Sequence, residues 1–170
     1  MVGLLVYISV CCNTKSHVHV GATTGTFVAN GYWKTAIDAV KSEVGKGHET
    51  YVTIQFGHND MKIADPASMG KNLTQMVKEV RSAGGEPVLV TSLARRTFSS
   101  SGTLTDSLGP WADETILISQ EQDTYLLDLH AASMKYVQAI GSTAAHKLDF
   151  ESGDNTREAP FQQIILYFFG

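Results

Sequence analysis

From residue 21 onward, the apolar positions of this chain switch repeatedly between a helical and an extended period. Trp33, Ile37, Val40 and Val44 recur at steps of four, three and four, one stripe of an amphipathic helix, and Gly45 and Gly47 end it. Residues 51–56 then read as an uncharged, β-branched and aromatic strand bounded by Gly57. Asp65-Pro66 supplies a cap and a first-turn proline. The helix that follows puts Met69, Leu73, Met76, Val77 and Val80 on one face and stops at Gly84-Gly85. A further uncharged strand spans residues 87–93, and a Ser/Gly/Thr-rich loop at 99–105 leads to a helix around 111–120. Residues 124–129 read as another buried strand, and a last helix carrying Met134, Val137 and Ile140 ends at Gly141. Buried strands alternating with amphipathic helices predict an α/β fold with a parallel sheet covered on both faces.

The first twenty residues fit this scheme poorly. Residues 1–12 are almost entirely apolar, close in length to a signal-peptide core. No basic residue precedes them and no clear small-x-small cleavage site follows, so a strand at 4–10 is the preferred reading. A second short strand is expected at 17–20. The six residues 11–16 between the two are too few for a parallel crossover, which needs a dozen or more.

Composition narrows the classes without choosing among them. The 170 residues suit one domain, and 43% hydrophobic with 18% charged residues describe an ordinary globular protein. A net charge of −4, with no basic run, gives no electrostatic footprint for nucleic acid. The only two cysteines, Cys11 and Cys12, are adjacent and cannot staple distant segments. No stretch is long enough to span a bilayer as a helix.

The chemistry gathers after the strands. In open α/β sheets ligands bind at the carboxyl ends of the strands. The loops at 57–60, at 95–98 and from His130 all leave such ends, and the loop at Gly21 is expected to join them. Read alone, Gly57-His58-Asn59-Asp60 is an ordinary Gly/Asn/Asp turn. The sharper reading makes the Asn59 amide a donor to a developing oxyanion. Asp154, in a Gly/Asp/Asn-rich loop, is a turn or cap residue on the plain reading and the carboxylate that orients a histidine on the functional one.

Taken in order, Gly21-Ala-Thr-Thr-Gly-Thr-Phe, Gln55-Phe-Gly-His-Asn-Asp60, residues 87–98 ending in Arg95-Arg96-Thr97-Phe98, Leu127-Asp-Leu-His130 and Asp154-Asn-Thr156 resemble the blocks of the SGNH (GDSL-type) hydrolases, in their rhamnogalacturonan acetylesterase-like branch. The resemblance runs from about residue 21 to 156 of a single domain, with 1–20 and 157–170 atypical. It implies a flavodoxin-like three-layer α/β/α sandwich with a parallel sheet. It also implies hydrolysis of acyl esters, often acetyl groups on pectic or other cell-wall polysaccharide, by a secreted monomer with no cofactor and no metal. On the matching positions it makes Gly21 (backbone N–H) and Asn59 (side-chain amide) the oxyanion donors, Asp154 the triad acid, and Asp60 a brace for its loop.

Two members of the family's triad are missing from their motifs. No Gly-Asp-Ser precedes Gly21, and Ser9, at the end of an apolar run, is a poor stand-in for the nucleophile. The last block should read Asp-x-x-His, yet position 157 is arginine, which stays protonated and cannot act as a base. His130 and His146 are the nearest substitutes, though a structural role suits each better. His17-x-His19 would place two imidazoles on one strand face, too few ligands for a metal site. The tail after Thr156 leaves the family pattern, while Phe161, Ile164, Ile165 and Phe168 keep helical spacing. Both mismatches fall at chain ends, which suggests ends altered relative to a full-length relative and a first strand missing or replaced. Two classes follow. One is an SGNH esterase by descent acting on an acylated carbohydrate. The other is an inactive relative that binds carbohydrate, with Arg95 and Arg96 facing uronate carboxylates.

Overall fold

A computed structural model describes the backbone of residues 3–10 and 13–148 and the side chains of residues 21–148. Its sheet has five strands in the order β2-β1-β3-β4-β5, with β1 Gly3–Val10, β2 Asn13–Val20, β3 Thr50–Gln55, β4 Glu86–Val90 and β5 Tyr125–Leu127. The predicted parallel sheet is present in β3, β4 and β5, which pair in parallel. The strand order is that of a flavodoxin-like sheet.

The N-terminal half of the sheet corrects two expectations. The second strand starts at Asn13 rather than residue 17, so β1 and β2 are joined only through Cys11 and Cys12. So short a link permits only an antiparallel hairpin, and β1 pairs antiparallel with β2 and with β3 as well. A strand therefore does fill the place beside β3, but it runs backwards. Two reversals restore the direction, so β2 runs the same way as β3 and its last residue, Val20, opposite Gly3, lies just beyond the level of Gln55.

The helices are α1 Thr24–Ala29, α2 Tyr32–Gly45, α3 Pro66–Ser82, α4 Gly109–Glu121 and α5 Leu129–His146. The helix expected after the Gly21 loop is thus two helices, divided at Gly31 in a left-handed conformation (φ 77°). Thr23 starts α1 with a capping box to Thr26, and Asp65 caps α3 ahead of Pro66. The stripe of α2 and that of α3 meet Val52, Ile54 and Leu89 of the sheet in one core, with Met69, Leu73, Met76, Val77 and Val80 all fully or almost fully buried. Phe27 of α1 packs edge-on against Phe56, ring centroids 5.6 Å apart, which fixes the Gly21 loop relative to the end of β3. Such pairs contribute about 0.5–1.5 kcal/mol beyond their buried area.

One further expectation changes. The last strand is short and not buried: Tyr125 is 63% and Leu126 37% exposed. Its apolar run resembled a central strand, but it forms the outer strand of the described sheet, where packing does not enclose it. The final helix breaks at Gly141 as expected, where φ 75° and ψ 168° are not helical, and a second helical stretch follows it to His146. Around Val137 and Ala145 of α5 a second apolar cluster gathers Ala94, Phe98 and Leu104 from the long β4–α4 connection.

Candidate active site

Reversal of β1 decides which residues share the carboxyl edge. Gly21 follows β2 and Gly57 follows β3, and the register brings both loops to the same edge. Ser9, by contrast, pairs with Tyr51 at the opposite end of β3. Four residues of strand separate Tyr51 from Gln55, roughly 13 Å at a strand's usual rise, so Ser9 lies on the wrong edge to attack a group held at Asn59.

The Gly21 and Asn59 loops touch. Buried Asn59 donates from Nδ2 to the Ala22 carbonyl at 3.2 Å, and its Oδ1 accepts from Lys62 Nζ at 3.1 Å. A carbonyl needs the amide nitrogen and an ammonium needs the amide oxygen, so these two partners orient the side chain unambiguously. The second Nδ2 hydrogen has no partner among the described residues. Gly21 is exposed, at φ 83°. One amide donor and one exposed backbone segment thus face the same rim.

The neighbouring carboxylate holds this arrangement. Asp60 Oδ1 accepts from the Thr24 amide at 2.9 Å and from its hydroxyl at 2.6 Å, while Oδ2 accepts from Gly57 N at 3.3 Å. Asn72 Nδ2 donates to the same hydroxyl at 2.9 Å. Asp60 is 1% exposed, and its oxygens are occupied by three donors from two loops. It fastens the start of α1 to the end of β3. Gly57 has to be glycine twice over: its φ is 113°, and a Cβ there would lie 3.3 Å from Ser92 Oγ and from Trp111 Cβ.

His130 sits in the first turn of α5, at 7% exposure. Its Nδ1 lies 3.0 Å from the Ser92 carbonyl, and its Nε2 lies 3.1 and 3.2 Å from the two oxygens of Asp106. Both partners only accept, so each ring nitrogen is turned toward an acceptor rather than toward a nucleophile's hydroxyl. Burial pushes Asp106 up, but the hydrogen bond and charge of His130, with the Gly109 and Leu108 amides, outweigh it and hold the carboxyl below its ordinary value. The ring closes the base of the loop that leaves β4, joining Ser92 at its start to Asp106 at its end. His146, at the far end of α5, is exposed and stands edge-on to Phe98 at 6.5 Å.

The two arginines lie in that loop, both half-buried. Arg95 Nη2 donates to the His58 carbonyl at 2.8 Å, so the loop reaches back to the residue before Asn59. His58 is held neutral down to about pH 4, first by burial and then by the positive charges of Arg95, Lys62 and Arg96. Asp154, the side chains of His17 and His19, and the helical spacing at 161–168 all lie outside the described residues. Sequence reasoning passed over Thr24, His58, Lys62 and Asp106. Lys62, three residues beyond Asn59 in a tight turn, was discoverable from spacing. Asp106, two residues before Leu108 and close to Pro110, carried the weaker signal of a helix-start carboxylate.

Comparison with known proteins bears on these blocks. No family model matches the chain. It is 31% identical over 137 residues to the rhamnogalacturonan acetylesterase RhgT of Bacillus subtilis, covering 79% of this chain and 56% of that protein. It is 27% identical over 123 residues to an uncharacterized esterase, YxiM, of the same organism, covering 69% of this chain and 32% of the relative. A crystal structure of Bacillus subtilis YxiM superposes with a TM-score of 0.63 at 21% identity, over 77% of this chain and 36% of that one. That likeness carries the fold, and the chain spans about half the length, or less, of the curated relatives it matches. Among the described residues no helix is long and apolar enough to cross a membrane. The ordered blocks and these relatives make the chain similar to the SGNH (GDSL-type) hydrolases, a rhamnogalacturonan acetylesterase among them, and the superposed structure shows the shared fold.

Proposed function

We propose that this chain is an SGNH-type esterase by descent, built to hold an acylated carbohydrate, and that its 170 residues supply the acyl-oxygen side of the site. The observation that carries this reading is the 3.2 Å contact between Asn59 Nδ2 and the Ala22 carbonyl, which brings the second-block loop and the third-block amide together at one sheet edge. An ester carbonyl placed there meets the free Nδ2 hydrogen of Asn59 and the backbone N–H of Gly21. Donors fixed before reaction stabilise a tetrahedral oxyanion without reorganising, and loss of one costs about 10²–10³ in rate.

We infer as substrate class an acetylated pectic or other cell-wall polysaccharide, met outside the cell; that one relative is named a rhamnogalacturonan acetylesterase supports this. Arg95 and Arg96, on the same edge, suit the uronate carboxylates of such a polymer. In the family's chemistry a serine attacks the acyl carbon, a histidine accepts its proton, and an aspartate, here Asp154, orients the histidine.

A second reading, binding without turnover, is favoured by two observations. Ser9 lies at the opposite edge, and both nitrogens of His130 are engaged by acceptors. On this reading the chain by itself holds an acyl ester and does not cleave it. Hydrolysis of 4-nitrophenyl acetate by the purified chain, beside Asn59→Ala, separates the two. Turnover that the substitution abolishes establishes the active enzyme, and background rates in both establish the binding protein.

A further inference from the structure

Next to Asn59 stand two cations, Arg95 and Lys62, that have no carboxylate partner among the described residues. Arg95 and Lys62 use their hydrogen bonds on the His58 carbonyl and on Asn59 Oδ1, both uncharged acceptors. Among the described residues two buried polar atoms here, Arg95 Nε and His58 Nδ1, have no hydrogen-bond partner. Buried polar atoms are nearly always satisfied, so two orphaned in residues that touch mark a place that lacks an acceptor.

We propose that Arg95, Lys62 and His58 form a binding site for a carboxylate-bearing ligand, adjacent to Asn59 on the same sheet edge. A carboxylate brings two acceptor oxygens in the plane that a guanidinium fork matches. Lys62, exposed and on a flexible stem, adds a point charge. His58, neutral at working pH through burial and the surrounding cations, offers one N–H and no competing charge. Arg95 links the site to the acyl edge, because its anchor is the carbonyl of the residue before Asn59.

The ligand has two sources with the same chemistry: a uronate within a carbohydrate, or a small free carboxylate. The first rests on the substrate class proposed above; the site itself does not, because binding is read here without turnover. The test follows the His58 imidazole by NMR in the full chain, titrated with sodium galacturonate, methyl galactoside and sodium acetate. Galacturonate is expected to shift the imidazole signals saturably and to raise the His58 pKa above about 4, while methyl galactoside leaves both unchanged. Arg95→Gln is expected to weaken binding about tenfold or more, with Arg95→Lys intermediate because it keeps the charge and loses the fork. Lys62→Gln, which removes no hydrogen bond of Arg95 to the His58 carbonyl, repeats the test should Arg95→Gln disturb the fold. Equal response to acetate and galacturonate establishes the site and assigns it to free carboxylates. No saturable response to either, or an affinity unchanged in both Arg95→Gln and Lys62→Gln, overturns the proposal. Asn59→Ala distinguishes the two readings: it removes the acyl-oxygen donor and the uncharged partner of Lys62 while keeping both cationic side chains, so lost ester recognition with retained carboxylate binding supports both.

Discussion

Asp60 holds Thr24 twice, accepting its amide at 2.9 Å and its hydroxyl at 2.6 Å through the same oxygen. Thirty-six residues apart in the chain, these two groups fix the first turn of α1 against the loop that presents Asn59. Asp60→Asn keeps the shape but puts an NH2 group opposite either Thr24 or the Gly57 amide, each of which needs an acceptor. The expected loss is about 1–3 kcal/mol of stability, read from the midpoint shift in urea unfolding. A midpoint unchanged from the native chain would show that the loops are held by something else.

His58 gives the site a pH signature. Its pKa falls from 6.5 in the unfolded chain to about 4 in the folded one, so between those values the unfolded state binds more protons. Stability therefore rises with pH through that window and is lost as pH falls from about 6.5 toward 4. His58→Gln is expected to flatten this part of the stability profile. Arg95→Gln, by removing the nearest cation, is expected to raise the His58 pKa toward its ordinary value. Proton NMR titration of the imidazole reads this directly.

The His130–Asp106 contact predicts a coupled pair. His130 ties Ser92 to Asp106, and Gln138 separately secures the loop by accepting from Leu104 N at 2.7 Å and donating to the Gly102 carbonyl at 3.2 Å. A double-mutant cycle of His130→Gln and Asp106→Asn is expected to give a coupling of about 0.5–3 kcal/mol, with faster proteolysis in residues 98–104 in each single variant. Asp106 has a lowered pKa, so its share of stability is present above its ordinary value and disappears as pH falls through the folded one. Strictly additive effects would remove the pair as a staple.

Gly57→Ala tests the sharp exit from β3. Strain at a φ of 113° adds to the 3.3 Å approach of a new Cβ to Ser92 and Trp111, and positions of this kind cost about 1–3 kcal/mol each. Thermal unfolding should show the loss, and the Asn59 amide signals should move.

Much of the fold could be read from periodicity, because α2, α3 and β3 each bury the stripe their sequence presents. Trp33, Ile37 and Val40, like Met69 through Val80, lie in the same core that their spacing predicted. What escaped was set by tertiary context. Nothing in residues 4–10 states the direction of a strand; the two-residue link to β2 does, and that depended on where β2 begins. Tyr125 and Leu126 have a core composition but an outer position. At the site, the meeting of the Gly21 and Asn59 loops at one edge could be expected from the strand ends they follow. Asp60's hold on Thr24 and Arg95's on the His58 carbonyl join residues about 37 positions apart, which no local pattern encodes.

The central claim is that the described edge offers donors for an acyl oxygen, while among the described residues no serine hydroxyl is hydrogen-bonded to a histidine ring to attack it. The rate of 4-nitrophenyl acetate hydrolysis by the purified chain, measured beside Asn59→Ala, tests it most directly. The account predicts rates at the uncatalysed background for both proteins. Turnover by the native chain that falls about 10²–10³-fold in Asn59→Ala would contradict it, and would require a nucleophile at this edge.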